Sequence, residues 1–180
     1  CRIVNNRARY GGGGVVCSGV YRGVVADNGG ASQLVMQGGG ALDSALINAI
    51  IKGNSASDGG GACASILLNC TVVSNRAVNG FGGGTERCGN FNSIILDNTV
   101  HSHGNILVDN GSGGSFFNCC IWPLPGGYES AGNFTNAPLF VGENDYRLSE
   151  ASPCRDTGSN TYVDDPFDLA GNPRVMHVAV

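Results

Sequence analysis

Cysteine is the side chain in this sequence that can bind metals, act as a nucleophile and form covalent bridges. The eight cysteines are Cys1, Cys17, Cys63, Cys70, Cys88, Cys119, Cys120 and Cys154. They contain no C-x-x-C pair, which disfavours a zinc site or a thioredoxin-like motif. Two kinds of bridge stay open, one between Cys63 and Cys88 and one from Cys154 to Cys119 or Cys120.

Acidic and histidine side chains form two further groups that could bind a metal. Asp164, Asp165 and Asp168 form the densest acidic group, and oxygen ligands at short spacing on a loop suit calcium. Turn formation explains the same residues, because Asp-Pro and Gly-Asn-Pro are common in turns. His101 and His103 lie two apart without further ligands nearby, which favours an exposed loop pair. The sequence therefore predicts no cofactor, with calcium as the alternative.

A repeated frame accounts for most of the chain. Four glycine triplets end at Gly14, Gly40, Gly61 and Gly84, and each is followed fourteen positions later by asparagine, at Asn28, Asn54, Asn75 and Asn98. The distance between frames varies, so insertions fall between frames. A repeat of this length, rich in glycine and β-branched residues, predicts stacked β units rather than helices.

Residues within the frame recur at every second position, which is typical of strands. Three columns are predicted to point inward: a large one (Tyr21, Ile47, Leu68, Phe91), a small one (Gly23, Ala49, Cys70, Ser93) and a β-branched one (Val25, Ile51, Val72, Ile95). The large column continues to Phe117. Cys1, Cys70 and Cys119 share the small column and are expected to be buried apolar fillers.

A fourth column is polar and predicts a structural ladder at Asn48, Asn69, Asn92 and Asn118. Side-chain amides that repeat once per unit can bond to each other along an axis with a spacing of about 4.8 Å. Because one unit is too short to bury its own apolar face, neighbouring units must share a core. The sequence predicts an all-β parallel β-helix of about five coils.

The predicted coils span residues 1–123, and residues 124–180 form a C-terminal closing segment packed on the last coil. Cys1 falls in the middle of a unit, so we expect the coils to be N-terminally incomplete.

The frame and the tail resemble one family. The units of the form GGG…NCTVVSN are similar to bacterial right-handed parallel β-helix surface proteins, the polymorphic outer-membrane and autotransporter-passenger repeats. The stretch NAPLFVGENDYRLSEASPCRDTGSN…DLAGNPRV (136–175) is similar to closing segments of choice-of-anchor type. The resemblance implies a right-handed, secreted or cell-surface protein associated with the outer membrane. Its expected role is a non-enzymatic structural or adhesive module.

The alternative function is a polysaccharide lyase or glycoside hydrolase of the β-helix type, with its active groove outside this chain. Such enzymes cluster carboxylates on one strand face. Here Asp27 and Asp97 share a column but lie three coils apart, roughly 14 Å at the strand spacing, which is too far for a catalytic pair. We identify no catalytic residues, and the pattern favours a protein that is not an enzyme.

Composition limits the partners. A net charge of −4 with scattered basic residues gives no stripe for nucleic acid, and no run approaches the length of a transmembrane helix. Outward positions are apolar and predict a candidate interaction face at Val24, Ile50, Val73, Ile94, Leu96 and Trp122. Loops could cover this face, or it could bind a protein, a polysaccharide or a second copy of the chain.

Overall fold

The computed structural model describes residues 1–30, 37–126 and 131–174, and its regular secondary structure consists almost entirely of short strands. The first, partial coil contributes β1 (Arg2–Val4) and β2 (Arg7–Ala8). The next contributes β3 (Val15–Val16), β4 (Gly19–Tyr21), β5 (Val24–Ala26) and β6 (Gly29–Gly30). It is followed by β7 (Ala41–Leu42), β8 (Ala45–Ile47), β9 (Ile50–Lys52) and β10 (Ser55–Ala56).

The remaining coils repeat this order. One holds β11 (Ala62–Cys63), β12 (Ile66–Leu68), β13 (Thr71–Val73) and β14 (Arg76–Val78), and the next holds β15 (Thr85–Glu86), β16 (Gly89–Phe91), β17 (Ile94–Leu96) and β18 (Thr99–Ser102). An added strand, β19 (Asn105–Val108), precedes β20 (Gly111–Ser112), β21 (Ser115–Phe117) and β22 (Cys120–Ile121). The later part of the chain forms β23 (Phe140–Gly142), β24 (Asp145–Leu148) and a single 3-10 turn (Asn160–Tyr162).

The strands of successive coils stack into four sheets. We call them sheet A (β1-β5-β9-β13-β17-β22), sheet B (β19-β18-β14-β10-β6-β2), sheet C (β20-β15-β11-β7-β3) and sheet D (β21-β16-β12-β8-β4). Every pairing in these sheets is parallel except that of β18 with β19. The chain is therefore a parallel β-solenoid of about five turns, which confirms the predicted fold class.

The register places equivalent residues of the repeat directly beside one another. Val25 pairs with Ile51, Ile51 with Val72, Val72 with Ile95 and Ile95 with Ile121. All five side chains are fully buried, as predicted for the β-branched column. The small column is also interior, with Ala49, Cys70 and Cys119 at most 2% exposed. Cys1, in contrast, is exposed.

The large column was predicted wrongly. Tyr21 is 60% exposed and Phe117 is 38% exposed, and the inward position of sheet D is the preceding one, occupied by Val20, Leu46, Leu67, Asn90 and Phe116. A residue with positive φ stands between sheets D and A in every coil, for example Asn69 at φ 55°. Because this residue turns the chain, the period of two that holds within a strand does not continue across it.

A continuous ladder of side-chain amides runs through the interior and is buried except at its first member, the exposed Asn6. It is formed by Asn6, Asn28, Asn54, Asn75, Asn98 and Asn110. The Nδ2 group of each residue donates to the Oδ1 atom of the next, at 2.9–3.1 Å, and the backbone N–H of each donates to the same oxygen. Four of these residues are the asparagines that close the sequence frame.

Interior amides need these partners because burying an unpaired polar group destabilises the fold. Asn54 and Asn98 are fully buried, and Asn75 is 1% exposed. Each also donates to a carbonyl group of a preceding strand; the Nδ2 group of Asn75, for example, lies 2.9 Å from the Ile51 oxygen. The protein itself thus supplies hydrogen-bond partners for the amides of the ladder.

The last glycine of each triplet packs against this ladder. A Cβ atom placed on Gly61 would lie 2.6 Å from the Gly84 carbonyl oxygen and 3.0 Å from the Nδ2 atom of Asn75. No other residue fits without moving backbone. The constant spacing between Gly61 and Asn75 therefore reflects a direct contact between them.

Replacing Asn75 with alanine should lower the free energy of unfolding by about 3–5 kcal/mol, because several buried donors and acceptors lose their partner together. Urea unfolding followed by circular dichroism measures this change. Asn105→Ala, at an exposed position of β19, should stay within about 0.5 kcal/mol of the parent. Equal losses in the two variants would contradict the ladder's role.

Candidate functional site

The turn between sheets D and A carries the most extensive set of outward polar contacts. We call its residues the turn column; they are Arg22, Asn48, Asn69, Asn92 and Asn118. All five have a positive φ, between 47° and 55°. Asparagine tolerates this left-handed backbone better than most residues. The side chains consequently leave the solenoid wall at one point in every coil.

The C-terminal part of the chain, residues 131–174, lies along the turn column and is called the closing segment here. Asn92 exchanges two hydrogen bonds with the backbone of Ser159, at 2.8 and 2.9 Å. Asn69 donates to the Tyr162 carbonyl at 2.9 Å, and Asn48 donates to the Phe167 carbonyl at 2.9 Å. One asparagine per coil therefore binds the backbone of the closing segment.

Arg22 continues the column with a charged contact. Its guanidinium lies 3.1 Å from the Oδ2 atom of Asp165, whose side chain is only 11% exposed, and 5.8 Å from the centre of the Phe167 ring. The other Asp165 oxygen accepts the Phe167 backbone N–H at 3.1 Å. The closing segment thus extends back along four coils, from Asn92 to Arg22.

The predicted ladder residues are in register, but their amides mostly bond elsewhere. Asn48, Asn69 and Asn92 follow directly paired strands, and a single amide pair joins them, from Asn92 to Asn69 at 3.2 Å. The continuous ladder is the Asn28 to Asn98 column, because that column points inward where no water or segment is available. The Oδ1 atom of Asn48 is buried and has no hydrogen-bond partner among the described residues.

A second contact joins the closing segment to the last coil. Phe134 forms a parallel bridge with Cys120, with the Ile121 N–H donating to Phe134 and the Phe134 N–H donating to Cys119. Asn133 accepts the Cys119 N–H at 2.9 Å and donates to the Phe116 carbonyl at 2.8 Å. These bonds occupy backbone groups at the edge of the last coil.

Aromatic rings fill the space beside the turn column. Phe91 and Phe117 stack at 5.4 Å between ring centres, and Tyr162 of the closing segment contacts Phe91 at 4.7 Å. The outward column that begins at Tyr21 is therefore partly covered where it meets the closing segment. The sequence analysis predicted Phe91 and Phe117 to point inward and did not predict their contact with Tyr162.

The predicted interaction face lies on sheet A beneath the closing segment. Val73 is buried, Val24, Ile50, Ile94 and Leu96 are half-buried, and Trp122 is 63% exposed. Lys52, on the same sheet, lies 3.3 Å from Asn144 and 5.4 Å from the ring centre of Tyr146. The chain itself thus supplies cover for part of this face, and binding at Trp122 stays a prediction.

A cleft of about 1020 Å³ is lined by the closing segment, sheet A and the turn column. Arg147 lines it and pairs with Asp145, whose pKa it lowers to about 2. Arg174 also lines it, and burial lowers the pKa of its guanidinium. Asparagine amides and charged side chains, including the Asp145–Arg147 pair, therefore contribute to the polar part of the cleft.

The residues proposed for calcium serve the turn geometry of the closing segment. Asp165 pairs with Arg22 and accepts the Phe167 backbone N–H. Asp168 accepts hydrogen bonds from the backbone N–H of Asn172 at 2.8 Å and from the side-chain amide of Asn172 at 3.1 Å. Burial alone would raise the pKa of Asp168, but the hydrogen bonds from Asn172, Ala170 and Gly171 together lower it. No group of three or more metal-binding side chains occurs in the parts of the chain that the structure describes. Calcium binding by Asp164 and its neighbours stays a prediction.

The histidines lie on the hairpin formed by β18 and β19. His101 is half-buried, with Nε2 at 3.2 Å from the Thr99 hydroxyl, and His103 occupies the exposed turn at φ 50°. The prediction of an exposed loop pair therefore holds for His103 but is wrong for His101, which lies in β18.

The core cysteines are chemically inert. Burial raises the pKa of Cys70 and of Cys88 to about 12 and that of Cys119 to about 11. Cys88 accepts the Ser65 N–H at 3.4 Å, in the position that Ser44 and Ser65 hold in earlier coils. Cys63 lies 3.5 Å from the Arg87 guanidinium. Thiols at these positions stay protonated at neutral pH.

The fold and the site together define a β-solenoid protein whose own C-terminal segment is bound along its side. No family model, curated protein or solved structure matches the chain. Among the described residues, no helix is long and apolar enough to span a membrane. The fold class therefore rests on the structure alone, and the surface-protein family remains a resemblance.

Replacing Asn92 with glycine should loosen the closing segment while leaving the backbone turn intact, because glycine accepts the same φ. The loss of two hydrogen bonds to Ser159 should speed tryptic cleavage after the exposed Arg155 roughly tenfold. Ser74→Gly is the matched control, since Ser74 has φ 55° in a different turn and Gly53 already occupies that position one coil earlier. Equal cleavage rates in both variants would contradict the binding role of the turn column.

Proposed function

We propose that this chain is a non-enzymatic structural or adhesive β-helix module of an exported bacterial surface protein, associated with the outer membrane. The structural role is supported by the contacts of the turn column. Outward asparagines and Arg22 bind the closing segment instead of presenting a set of catalytic groups. The resemblance of the glycine-rich units and the tail supports export and the cell-surface location.

The adhesive part is supported by the hairpin of β18 and β19. Strand β19 is the edge of sheet B, and its apolar side chains are exposed: Ile106 by 66%, Leu107 by 60% and Val108 by 50%. An edge strand offers unpaired backbone groups to another strand, and an apolar edge strengthens that contact. This combination is typical of an interaction site.

A second copy of the chain is the partner that this edge fits best. Two β19 strands placed antiparallel would form a two-fold symmetric contact, in which each copy supplies the same residues to the other. Each strand would then place its apolar side chains beside those of the other, with Ile106 and Val108 on one face of the joined sheet and Leu107 on the opposite face. We propose self-association through β19 as the adhesive contact.

Changing Ile106, Leu107 and Val108 together to threonine should weaken self-association, because threonine keeps the strand preference and removes the apolar surface. Sedimentation velocity over a range of concentrations should show association for the parent and a several-fold weaker association for the triple variant. Ile66→Thr is the control, since Ile66 is 52% exposed on the solenoid body. A parent that stays monomeric throughout, or a triple variant that associates like the parent, would contradict the role of β19.

The location and the absence of enzymatic activity are tested on the intact protein in the bacterium that makes it. Protease added to whole cells should remove the chain from immunoblots while a cytoplasmic marker survives, because the module is exposed on the surface. Incubation of the purified protein with polygalacturonate or alginate should release neither unsaturated nor reducing ends. Protection from protease in whole cells would overturn the surface location, and product formation would favour the lyase or hydrolase alternative.

A further inference from the structure

Two cysteines from distant parts of the chain meet where the closing segment joins the last coil. Cys120 is the first residue of β22, and its neighbour Ile121 points into the core, so the Cys120 side chain points outward. Cys154 belongs to the closing segment. Their thiols are hydrogen-bonded to each other, and both residues line the same cleft.

The surroundings hold both thiols in this position. Cys120 is 4% exposed, and its Sγ atom lies 3.0 Å from the Asn136 carbonyl oxygen. The backbone N–H of Cys154 donates to the Ser152 hydroxyl at 3.1 Å, and that hydroxyl donates to the Pro138 carbonyl. Little movement is therefore needed to bring the two sulfur atoms into bonding range.

Cys119 is excluded as the partner although it is adjacent in sequence. Its side chain is fully buried inside the solenoid, and its thiol lies 3.4 Å from the carbonyl oxygens of Asn90 and Phe117. The Cys119 side chain could contact Cys154 only if the backbone of the last coil rotated so that this side chain pointed outward. The structure thus selects one of the two pairings that the sequence left open.

We propose that Cys120 and Cys154 form a disulfide bond that fastens the closing segment to the last coil of the solenoid. Nothing in this proposal depends on where the protein is located, because the bond can be formed and broken in the purified chain. An oxidising compartment outside the cytoplasm would preserve it.

The two thiols differ in reactivity. The hydrogen bond between the two thiols lowers the pKa of Cys154, and the same contact, together with burial, raises the pKa of Cys120. The thiolate is the nucleophile in thiol–disulfide exchange. Cys154, which is also the more accessible residue, is therefore the one that reacts first.

The oxidant is a small-molecule disulfide, RS–SR. The Cys154 thiolate attacks one sulfur of RS–SR, forming a mixed disulfide and releasing one RS⁻. Cys120 then loses its proton to water and attacks the Cys154 sulfur, which expels the second RS⁻. Both cysteines are oxidised, the small disulfide is reduced to two thiols, and the two protons balance the thiolates released.

The experiment treats the reduced full chain with oxidised glutathione and maps the products by non-reducing peptide mass spectrometry. The peptide with Cys154 should be joined to the peptide with Cys119 and Cys120, at a mass lower by two hydrogen atoms. Cys119→Ala should keep the bridge, because Ala49 occupies the same column in another coil. Cys120→Thr should lose it and leave a glutathione adduct on Cys154, and Thr71 in that column shows that threonine fits.

Tryptic cleavage after Arg155 then measures the consequence for the closing segment. It should be slower in the oxidised parent than in the reduced parent, by roughly tenfold or more, and unchanged by oxidation in Cys154→Ser. The proposal is overturned if the bridge survives in Cys120→Thr, or if Cys154 of the parent carries only glutathione or a free thiol. Equal cleavage rates in the oxidised and reduced parent would show that the bond does not fasten the segment.

Discussion

The structure depends on one requirement: the side-chain amides of the asparagine ladder inside the solenoid must find their partners in the next coil. The amides of Asn28, Asn54, Asn75 and Asn98 meet this requirement by bonding to each other and to strand carbonyls. Because each residue both donates and accepts, no coil can shift its register alone without leaving buried groups unpaired. The ladder consequently fixes the register along the whole stack.

The apolar columns add stability but define the register less sharply. Val25, Ile51 and Val72 would still be buried if neighbouring coils slid past each other by two residues, because hydrophobic contact is non-directional. The amide ladder has no equivalent alternative, since its positions recur once per coil. Specificity and stability thus come from different columns of the same interior.

The exterior uses the same side chain for a different purpose. Asparagines of the turn column point away from the core, and their partners are backbone groups of the closing segment. An element without a regular repeat can therefore follow a regular one, because each coil offers the same amide at the same interval. Arg22 replaces asparagine in this column, and its partner accordingly is the carboxylate of Asp165.

The fold could be predicted from the sequence because equivalent residues recur once per coil, and the constant spacing from Gly61 to Asn75 reflects a contact between the start and the end of one coil. The orientation of the columns could be predicted only within strands, and it failed at Tyr21 because a left-handed turn follows. The path of the closing segment along the turn column could not be predicted, since the contact between Asn48 and Phe167 joins residues that are 119 positions apart and share no repeat. One signal was present in the sequence: Arg22 stands in a column that otherwise holds asparagine, which indicates an acidic partner for this position.

Hydrogen exchange of side-chain amides, measured residue by residue by NMR, tests the central claim most directly. If the ladder seals the interior, the Nδ2 protons of Asn54 and Asn75 exchange only when the solenoid unfolds, at the rate of the slowest backbone amides. Those of the exposed Asn105 and Asn160 exchange rapidly in the same sample. Fast exchange at Asn54 and Asn75 in the folded protein would contradict the account.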